Sequence, residues 1–418
     1  MNYIVIRYSE LALKGKNRNW FENLLMKNIR KHLSQLGSVT VSKVYGRIII
    51  ENEAQLDKTI SVLKYIPGIA NFSIAHPSTH EMESISEKVV ELFDDYLLEH
   101  KTKPKTFKIQ TRRSSKDTPM NSQEISAAMG GVILDHHPEL KVDLHDPNVI
   151  VGIEIWAKNR SIIYIDKIQG QGGLPVGSAG TVISFISGGI DSPVAAWFMM
   201  KRGCTPVYLH FHSYPFIGEQ SRQKVIDLVT HLSRYQPNST LIIVPFADIQ
   251  KAVRESCEEK NRTIIYRRLM YKVGEALKRR YKAMAYVTGE AVGQVASQTL
   301  ENLACTEAAS TLPVLRPLIG MDKAEITEWA KRIGTYEISI QPFSDCCTVF
   351  QPRKPEIRGI PAKIVHDEKK LDLDELIAAA VENVEILKME TKVENKFWSR
   401  NEDDRLNRHP YKKTRISF

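Results

Sequence analysis

Residues 182–192, with the sequence VISFISGGIDS, place an apolar strand directly before a glycine-containing loop and the start of a helix. Glycine has no Cβ, so such a loop can close around an anion, and the N–H groups of a helix start supply positive potential. The stretch predicts a phosphate-binding loop from Ser187 to Ser192, with a glycine turn that binds nothing as the alternative. No Gly-Lys-Ser/Thr follows, which argues against a Walker loop built for γ-phosphate transfer.

The chain around this loop alternates between strand and helix patterns. Strands are predicted at 182–186, 206–211, 241–245 and 285–288, and helices at 192–202, 219–234 and 261–282. This alternation predicts the α/β class with a doubly wound parallel sheet. Ligands of such sheets bind beyond the carboxyl ends of the strands. We therefore expect four separate segments to be neighbours: 187–192, 210–213, 246–248 and 289–298.

The chain before residue 169 follows an α+β pattern instead. Strands are predicted at 3–8, 39–44, 47–51, 106–111, 149–155 and 161–166, and helices at 17–35, from Ser84 onward, and at 121–135 with Asn121 or Ser122 as cap. A first domain boundary is placed near residue 60. Residues 169–180, QGQGGLPVGSAG, are too rich in glycine for regular structure and predict a linker or a mobile loop.

Basic residues exceed acidic ones, and the formal net charge is +9. A polyanionic partner explains this excess, and so does a general gain in solubility. Residues 101–116 carry basic side chains and no acid, as expected of a surface that follows phosphates, although lysines that protect an edge strand would give the same pattern. The candidate RNA contacts in this stretch are Lys105, Lys108, Arg112, Arg113 and Lys116.

Five cysteines at this length, two of them adjacent, predict a reducing and therefore cytoplasmic location. Neither a secretion signal nor a run of about eighteen apolar residues occurs, so no membrane association is expected. The adjacent pair, Cys346 and Cys347, falls in a segment flanked by proline and glycine, where a thiol is accessible to a partner. Sulfur carriage, simple burial and metal ligation all fit this pair, whereas packing is predicted for Cys204, Cys257 and Cys305.

Five segments, in order along the chain, resemble the tRNA 4-thiouridine synthetase family. They are LALKGKNRNWFE (11–22), FKIQTRRSSKDTPMNSQEISAAMGG (107–131), GQGGLPVGSAG (170–180), TGEAVGQVASQTLENL (288–303) and SDCCTVF (344–350). The loop itself resembles the SGGxDS signature of PP-loop ATP pyrophosphatases. The resemblance implies a ferredoxin-like domain at 1–60, a THUMP domain at 61–168, a linker at 169–180, a PP-loop domain at 181–392 and a basic tail at 393–418.

The resemblance also implies the chemistry. Members of the family use ATP and Mg²⁺ to adenylate the C4 oxygen of uridine at position eight of tRNA, and persulfide sulfur supplied through a cysteine desulfurase then displaces AMP. Phosphate binding is implied for Ser187, Gly188, Gly189 and Ser192, magnesium or adenylation support for Asp191, and sulfur carriage for Cys347 rather than Cys346. The implied nucleotide contacts are Phe185, Ile186, His210, Phe211, Arg267, Gly289 and Gln298. Metal ligation by His210 and His212 is the alternative for that pair, and no protein-bound metal site is expected.

Some points stay open at the level of sequence. The chain resembles family members without a rhodanese domain, so persulfide would arrive directly or from a separate protein. A homodimer and a secondary role in sulfur supply for the thiamine thiazole are both compatible with the resemblance. Two other functions compete: a PP-loop enzyme that forms amide bonds without a catalytic thiol, and a tRNA-binding protein with a decayed catalytic half, although Ser187 to Ser192 are intact.

Overall fold

The computed structural model of the chain describes residues 3–37, 39–44, 46–51, 55–100, 102–114, 119–156, 159–343, 346 and 349–389. An N-terminal unit ends at Gly173, and a C-terminal unit begins at Leu174. The predicted tail at 393–418 lies outside the described residues. None of the described helices has the length and apolar character needed to cross a bilayer.

The N-terminal unit is built on one mixed sheet. Its strands are β1 (Tyr3–Arg7), β2 (Thr40–Val44), β3 (Arg47–Glu51), β4 (Asn71–Ser78), β5 (Thr106–Arg113), β6 (Lys141–Val142), β7 (Val149–Trp156), β8 (Arg160–Ile165) and β9 (Ile168–Gln169). Its helices are α1 (Arg18–Leu33), α2 (Leu56–Leu63), α3 (Met82–Glu99) and α4 (Ser122–His136). The strands lie in the order β2-β3-β1-β4-β8-β7-β5-β6, and β9 pairs with β4. The segments expected to form ferredoxin-like and THUMP domains therefore share a sheet, joined by the pairing of β1 with β4.

Alternating side chains divide this sheet into two faces. Phe107 and Ile109 of β5 are buried in a core that also contains apolar residues of α3 and α4. Helix α4 begins as predicted, because the Asn121 side chain accepts hydrogen bonds from the N–H groups of Gln123 and Glu124. Glu124 accepts in return from the Asn121 N–H at 2.6 Å, which completes a capping box.

The C-terminal unit contains a second sheet. Its strands are β10 (Thr181–Phe185), β11 (Thr205–His212), β12 (Ser239–Pro245), β13 (Ala283–Val287), β14 (Val314–Leu315) and β15 (Glu385–Met389). Its helices are α5 (Asp191–Lys201), α6 (Glu219–Leu232), α7 (Ala247–Ser256), α8 (Arg262–Tyr281), α9 (Leu300–Glu307), α10 (Lys323–Ile333), α11 (Tyr336–Ser339), α12 (Pro361–Glu368) and α13 (Leu373–Glu382). The predicted alternation of strand and helix is confirmed, with bounds that differ by one or two residues at most ends.

The order of the second sheet is β14-β13-β10-β11-β12-β15. The strands from β14 to β12 pair in parallel, as the sequence predicted, whereas β15 at the edge runs antiparallel to β12. Because β10 lies inside the sheet, between β13 and β11, the segment that follows it emerges near the middle of the carboxyl edge. This edge is where the sequence predicted a ligand.

The glycine-rich segment at 169–180 is divided between the two units. Gln169 ends strand β9, and the N–H groups of Leu174, Gly177 and Ala179 donate to carbonyls of Lys201 and Gly203. The second half of the predicted linker is thus hydrogen-bonded to the turn between α5 and β11, as part of the C-terminal unit.

Candidate nucleotide site and the thiol beside it

The loop after β10 is closed by its own serines. The Ser187 N–H donates to Ser192 Oγ at 2.9 Å, and the Gly189 N–H donates to Ser187 Oγ at 3.2 Å. Ile190 precedes α5 and gives the helix no capping side chain. The N–H groups of the first turn of α5 therefore remain available for an anion, which is the arrangement expected of a phosphate loop.

A cavity of about 290 Å³ lies against this loop, at the carboxyl ends of β10, β11 and β13. It is lined by Phe185, Ile186, Ser187, Gly189, Asp191, Ser192, Leu209, His210, Phe211, Arg267, Met270, Tyr271, Thr288, Gly289, Glu290, Gln298 and Cys346. The expected nucleotide contacts and Asp191 all belong to this lining, and Gly188 belongs to the loop without lining the cavity. Of the expected segments, 246–248 contributes no lining residue.

Asp191 is the first residue of α5 and is held from two sides. Lys323 Nζ, at the start of α10, donates to Asp191 Oδ1 at 2.5 Å, and Gln294 Nε2 donates to Asp191 Oδ2 at 2.8 Å. The carboxylate is one-fifth exposed and borders the cavity. Both partners fix its orientation, and the ammonium of Lys323 adds a positive charge beside the loop.

A second carboxylate in the cavity, Glu290, is held by two arginines. Arg267 of α8 pairs with one of its oxygens, Arg316 Nε donates to the other at 2.8 Å, and Thr288 Oγ1 also donates at 2.9 Å. Glu290 is buried, and Arg316 makes a further ion pair with Glu307 at 2.6 Å. This network fixes the Arg267 guanidinium at the cavity wall, where an anionic ligand would meet it.

The far part of the cavity is aromatic and carries two hydrogen-bond acceptors. Burial lowers the pKa of His210 to about 4, so the ring is neutral at physiological pH. Its Nδ1 lies 3.0 Å from the Ile186 carbonyl, which can only accept, so Nδ1 carries the proton and Nε2 is an acceptor. His210 Nε2 and Gln298 Oε1 meet no partner among the described residues, and Phe185 and Tyr271 pack beside them with ring centroids 5.1 Å apart.

Cys346 forms part of the cavity wall. Its Sγ lies 3.0 Å from Ser213 Oγ, which also donates to Gln250, and the Gln250 amide donates to the Cys346 carbonyl at 3.0 Å. These contacts fix the backbone immediately before residue 347 at the edge of the cavity. Cys347, the predicted sulfur carrier, lies outside the described residues.

The other three cysteines fit the packing role predicted for them. Cys204, Cys257 and Cys305 are buried, and burial raises the pKa of each thiol. A buried thiol with a raised pKa is a weak nucleophile at neutral pH. The structure also finds no cluster of three metal-binding side chains in the residues that it describes.

The predicted RNA contacts lie on and beside β5, and they divide between its faces. Lys108 and Arg112 share one face, while Arg113 points toward α4 and donates to the Met120 carbonyl. Lys105 is exposed just before the strand, and Lys116 lies outside the described residues. The basic stretch is therefore not one continuous surface.

Sequence reasoning missed several residues of the site. Tyr271 lies four positions after Arg267 on α8, so helical spacing from that arginine would have found it. Glu290 directly follows the predicted Gly289. Lys323, Gln294 and Arg316 have no local signal, because their place in the site depends on contacts across 132, 103 and 26 residues.

The backbone at Gly289 lies so close to the backbone of Asp191 and Ser192 that only glycine fits there. A larger residue at this position is therefore expected to disturb the use of ATP. A Cβ at this position would lie 2.7 Å from both the Asp191 carbonyl carbon and the Ser192 nitrogen, which cannot move without moving the start of α5. We expect Gly289→Ala to lower kcat/KM for ATP about 100-fold, the cost typical of a misplacement of about 1 Å. Gly320→Ala is the matched control, since a Cβ there would meet no atom within 4 Å. Equal kinetics for the two variants would show that the loop tolerates displacement.

Three protein-family models match separate parts of the chain. The ThiI ferredoxin-like domain matches residues 3–73, the THUMP domain matches residues 79–166, and the family described as thiamine biosynthesis protein (ThiI) matches residues 177–373. The glycine-rich segment lies largely between the last two matches.

Whole-chain relatives are also found. A probable tRNA sulfurtransferase of Caldanaerobacter subterraneus subsp. tengcongensis is 42% identical over 374 residues, which cover 90% of this chain and 96% of the relative. A probable tRNA sulfurtransferase of Acetivibrio thermocellus is 43% identical over 387 residues, which cover 92% of this chain and 98% of the relative.

Two solved structures superpose with most of the chain. The crystal structure of a 4-thiouridine synthetase–RNA complex with bound ATP superposes with a TM-score of 0.84 at 37% identity, and the match covers 93% of this chain and all of that one. A protein of Pyrococcus horikoshii Ot3 superposes with a TM-score of 0.63 at 27% identity, covering 80% of this chain and all of that one.

Proposed function

The chain belongs to the tRNA sulfurtransferase family, and from this membership we propose that it uses ATP to convert uridine at position eight of tRNA to 4-thiouridine. The observation that carries the proposal is the cavity beside the Ser187–Ser192 loop. The phosphate-type loop forms one side of this cavity, and Cys346, the residue before Cys347, forms part of another side. Activation of an oxygen and delivery of sulfur need such groups within one cavity.

ATP suits the cavity at both ends. The N–H groups at the start of α5 and the guanidinium of Arg267 would bind its phosphates. His210 Nε2 and Gln298 Oε1 are buried acceptors that would otherwise stay unpaired, and the exocyclic amine of adenine is a donor of matching polarity. The aromatic rings of Phe185 and Tyr271 would contact the base.

Magnesium would be held by Asp191 together with phosphate oxygens of the nucleotide. Mg²⁺ is commonly bound by one or two carboxylates plus substrate phosphates, and the Asp191 carboxylate borders the cavity beside the loop. When bound, the ion neutralises phosphate charge and makes pyrophosphate a better leaving group. Lys323 and Gln294 donate hydrogen bonds to the Asp191 carboxylate and so hold it in place beside the loop.

The proposed reaction has two displacements. The C4 oxygen of uridine attacks the α-phosphorus of ATP, the bond between that phosphorus and the α–β bridging oxygen breaks, and pyrophosphate leaves. The terminal sulfur of a Cys347 persulfide then attacks C4, and the C4–O bond breaks with release of AMP. A second thiol attacks the Cys347 sulfur and forms a disulfide with it, so the outer sulfur stays on the base as 4-thiouridine.

The partners beyond tRNA are further proposals. A cysteine desulfurase, which makes persulfide, is the sulfur donor that this chemistry requires. Supply of sulfur for the thiamine thiazole is a secondary role, supported by the description of the family that matches residues 177–373. A homodimer is the proposed assembly, and sedimentation of the pure protein with and without tRNA would test it.

One assay tests substrate, reaction and nucleotide use together. Pure protein is incubated with unmodified tRNA, Mg-ATP and sulfide, and the products are followed by the near-ultraviolet absorbance of thiouridine and by nucleotide chromatography. We expect thiouridine, AMP and pyrophosphate in equal amounts. ADP in place of AMP would contradict cleavage between the α- and β-phosphates, and exchange of pyrophosphate without thiouridine would favour another adenylating enzyme.

A further inference from the structure

Helix α7 contacts the thiol segment, residues 346–350, although the helix contributes no residue to the cavity lining. Gln250 is fully buried on this helix, and both ends of its amide are used. Its oxygen accepts from Ser213 Oγ, and its nitrogen donates to the Cys346 carbonyl at 3.0 Å. This one side chain therefore links the carboxyl end of β11 to the chain directly before Cys347.

The thiol segment is also anchored on the other side of Cys347. Val349 is buried in the same core as Cys346, and its N–H donates to the Cys346 carbonyl at 3.2 Å. That carbonyl accepts two hydrogen bonds, one from Gln250 and one from Val349. Residues 346 and 349 are thus held close together, with two residues between them in the sequence.

Phe350 is a third anchor, at the end of the thiol segment. Its backbone has a φ of 53°, in the left-handed region that bulky residues rarely adopt, and such conformations persist only where the surroundings hold them. The Phe350 ring packs edge-on against Phe216 with centroids 4.9 Å apart, and the Arg254 guanidinium carbon lies 4.5 Å from the ring centroid. Arg254 follows Gln250 by four residues, so one face of α7 contacts both ends of the segment.

We propose that Gln250 and Arg254 are positioning residues for sulfur transfer, which hold the chain on both sides of Cys347 so that its persulfide meets the uridine activated in the cavity. The inference rests on the proposed function and adds no bond change to it. Consecutive Cα atoms are about 3.8 Å apart, so fixing Cys346 in the cavity wall restricts where sulfur on the next residue can reach. A misplacement of about 1 Å slows a reaction about 100-fold, and a fixed segment prevents it.

The test measures single-turnover transfer of sulfur to unmodified tRNA, with Mg-ATP and with Cys347 loaded by a cysteine desulfurase. The variants are Gln250→Met and Arg254→Met, because methionine is unbranched and apolar and removes the hydrogen bonds or the charge. We expect transfer to slow about tenfold for Gln250→Met and about threefold to fivefold for Arg254→Met. ATP–pyrophosphate exchange, and persulfide loading read by mass spectrometry, should stay within about twofold of wild type.

Free hydrosulfide separates positioning from damage to the fold. It attacks the activated uridine without Cys347, so both variants should then form thiouridine at the wild-type rate. Lys363→Met is the matched control, since it removes an exposed charge from α12 of the same unit and should change no rate. Arg254 is exposed, so its variant keeps the test decisive if Gln250→Met does not fold, and Arg254→Lys should retain most of the transfer rate because it keeps a cation over the ring.

Each outcome has one meaning. Transfer at the wild-type rate by a folded variant would remove that residue from the inference and leave the proposed function standing. Equal losses with persulfide and with free hydrosulfide would show that the two residues only support the fold, and loss of persulfide loading would assign them to contact with the sulfur donor; either result overturns the inference. If wild-type protein forms no thiouridine with either sulfur source, the proposed function fails as well.

Discussion

Replacing Asp191 by asparagine is expected to lower tRNA-dependent release of pyrophosphate about 100- to 1,000-fold, the range typical when one preorganised electrostatic group is removed from an active site. The variant keeps the size of the side chain and removes its charge. Asp191 lies at the first turn of α5 beside the loop, so this charge is available to magnesium at the phosphates. Radioactive exchange between ATP and pyrophosphate measures the effect.

The loss should not come from unfolding. The ion-pair partner Lys323 is half exposed, and pairs of this kind contribute about 0–1 kcal/mol to stability. Asp248→Asn is the matched control, because Asp248 lies in the first turn of α7 in the same unit and its side chain is 88% exposed. Exchange by Asp191→Asn within threefold of the control would remove Asp191 from the reaction.

Replacing Cys347 by alanine is expected to abolish thiouridine formation from desulfurase-derived sulfur, with at least an approximately 1,000-fold loss, because alanine cannot carry a persulfide. ATP–pyrophosphate exchange should stay within about threefold of wild type, since adenylation precedes the attack by sulfur. High concentrations of inorganic sulfide should restore part of the product, because hydrosulfide can attack the activated uridine directly. The combination of these three results distinguishes a sulfur carrier from a residue that only supports the fold.

Two alanine variants control for the loss of a thiol. Cys204→Ala removes a buried thiol at the start of β11, at the opposite end of the sheet from the cavity, and should leave thiolation nearly unchanged. Cys346→Ala removes the sulfur that contacts Ser213, and we expect a loss of no more than about tenfold from disturbed packing. Full activity of Cys347→Ala together with an inactive Cys346→Ala would transfer the carrier role to Cys346.

The loop, its flanking strand and the sheet class could all be predicted from the sequence, because each depends on neighbours in the chain. Apolar periodicity predicts strand β10, and glycines directly before a helix start predict the loop. The rule that ligands bind at the carboxyl ends of parallel strands then brought His210 and Gly289 to the same place as the loop. Arg267 was expected from family resemblance alone, and the cavity lining now contains it.

Other features depend on contacts that no local pattern encodes. The edge strand β15 runs antiparallel to β12, and a short apolar run in the sequence does not specify that direction. Lys323 meets Asp191 across 132 residues, and Arg7 meets Glu154 across 147. Sequence alone also presented 101–116 as one basic surface, whereas strand alternation divides it between two faces.

Backbone freedom and apolar spacing act within a few residues, so the order of amino acids is enough to predict which segments become strands, helices and the phosphate-type loop. Which charges meet depends instead on the folded chain, which brings Lys323 to Asp191, two arginines to Glu290, and two arginines to Glu154. Electrostatic interactions depend on separation in space and on burial, and both are properties of the assembled sheets rather than of positions along the chain.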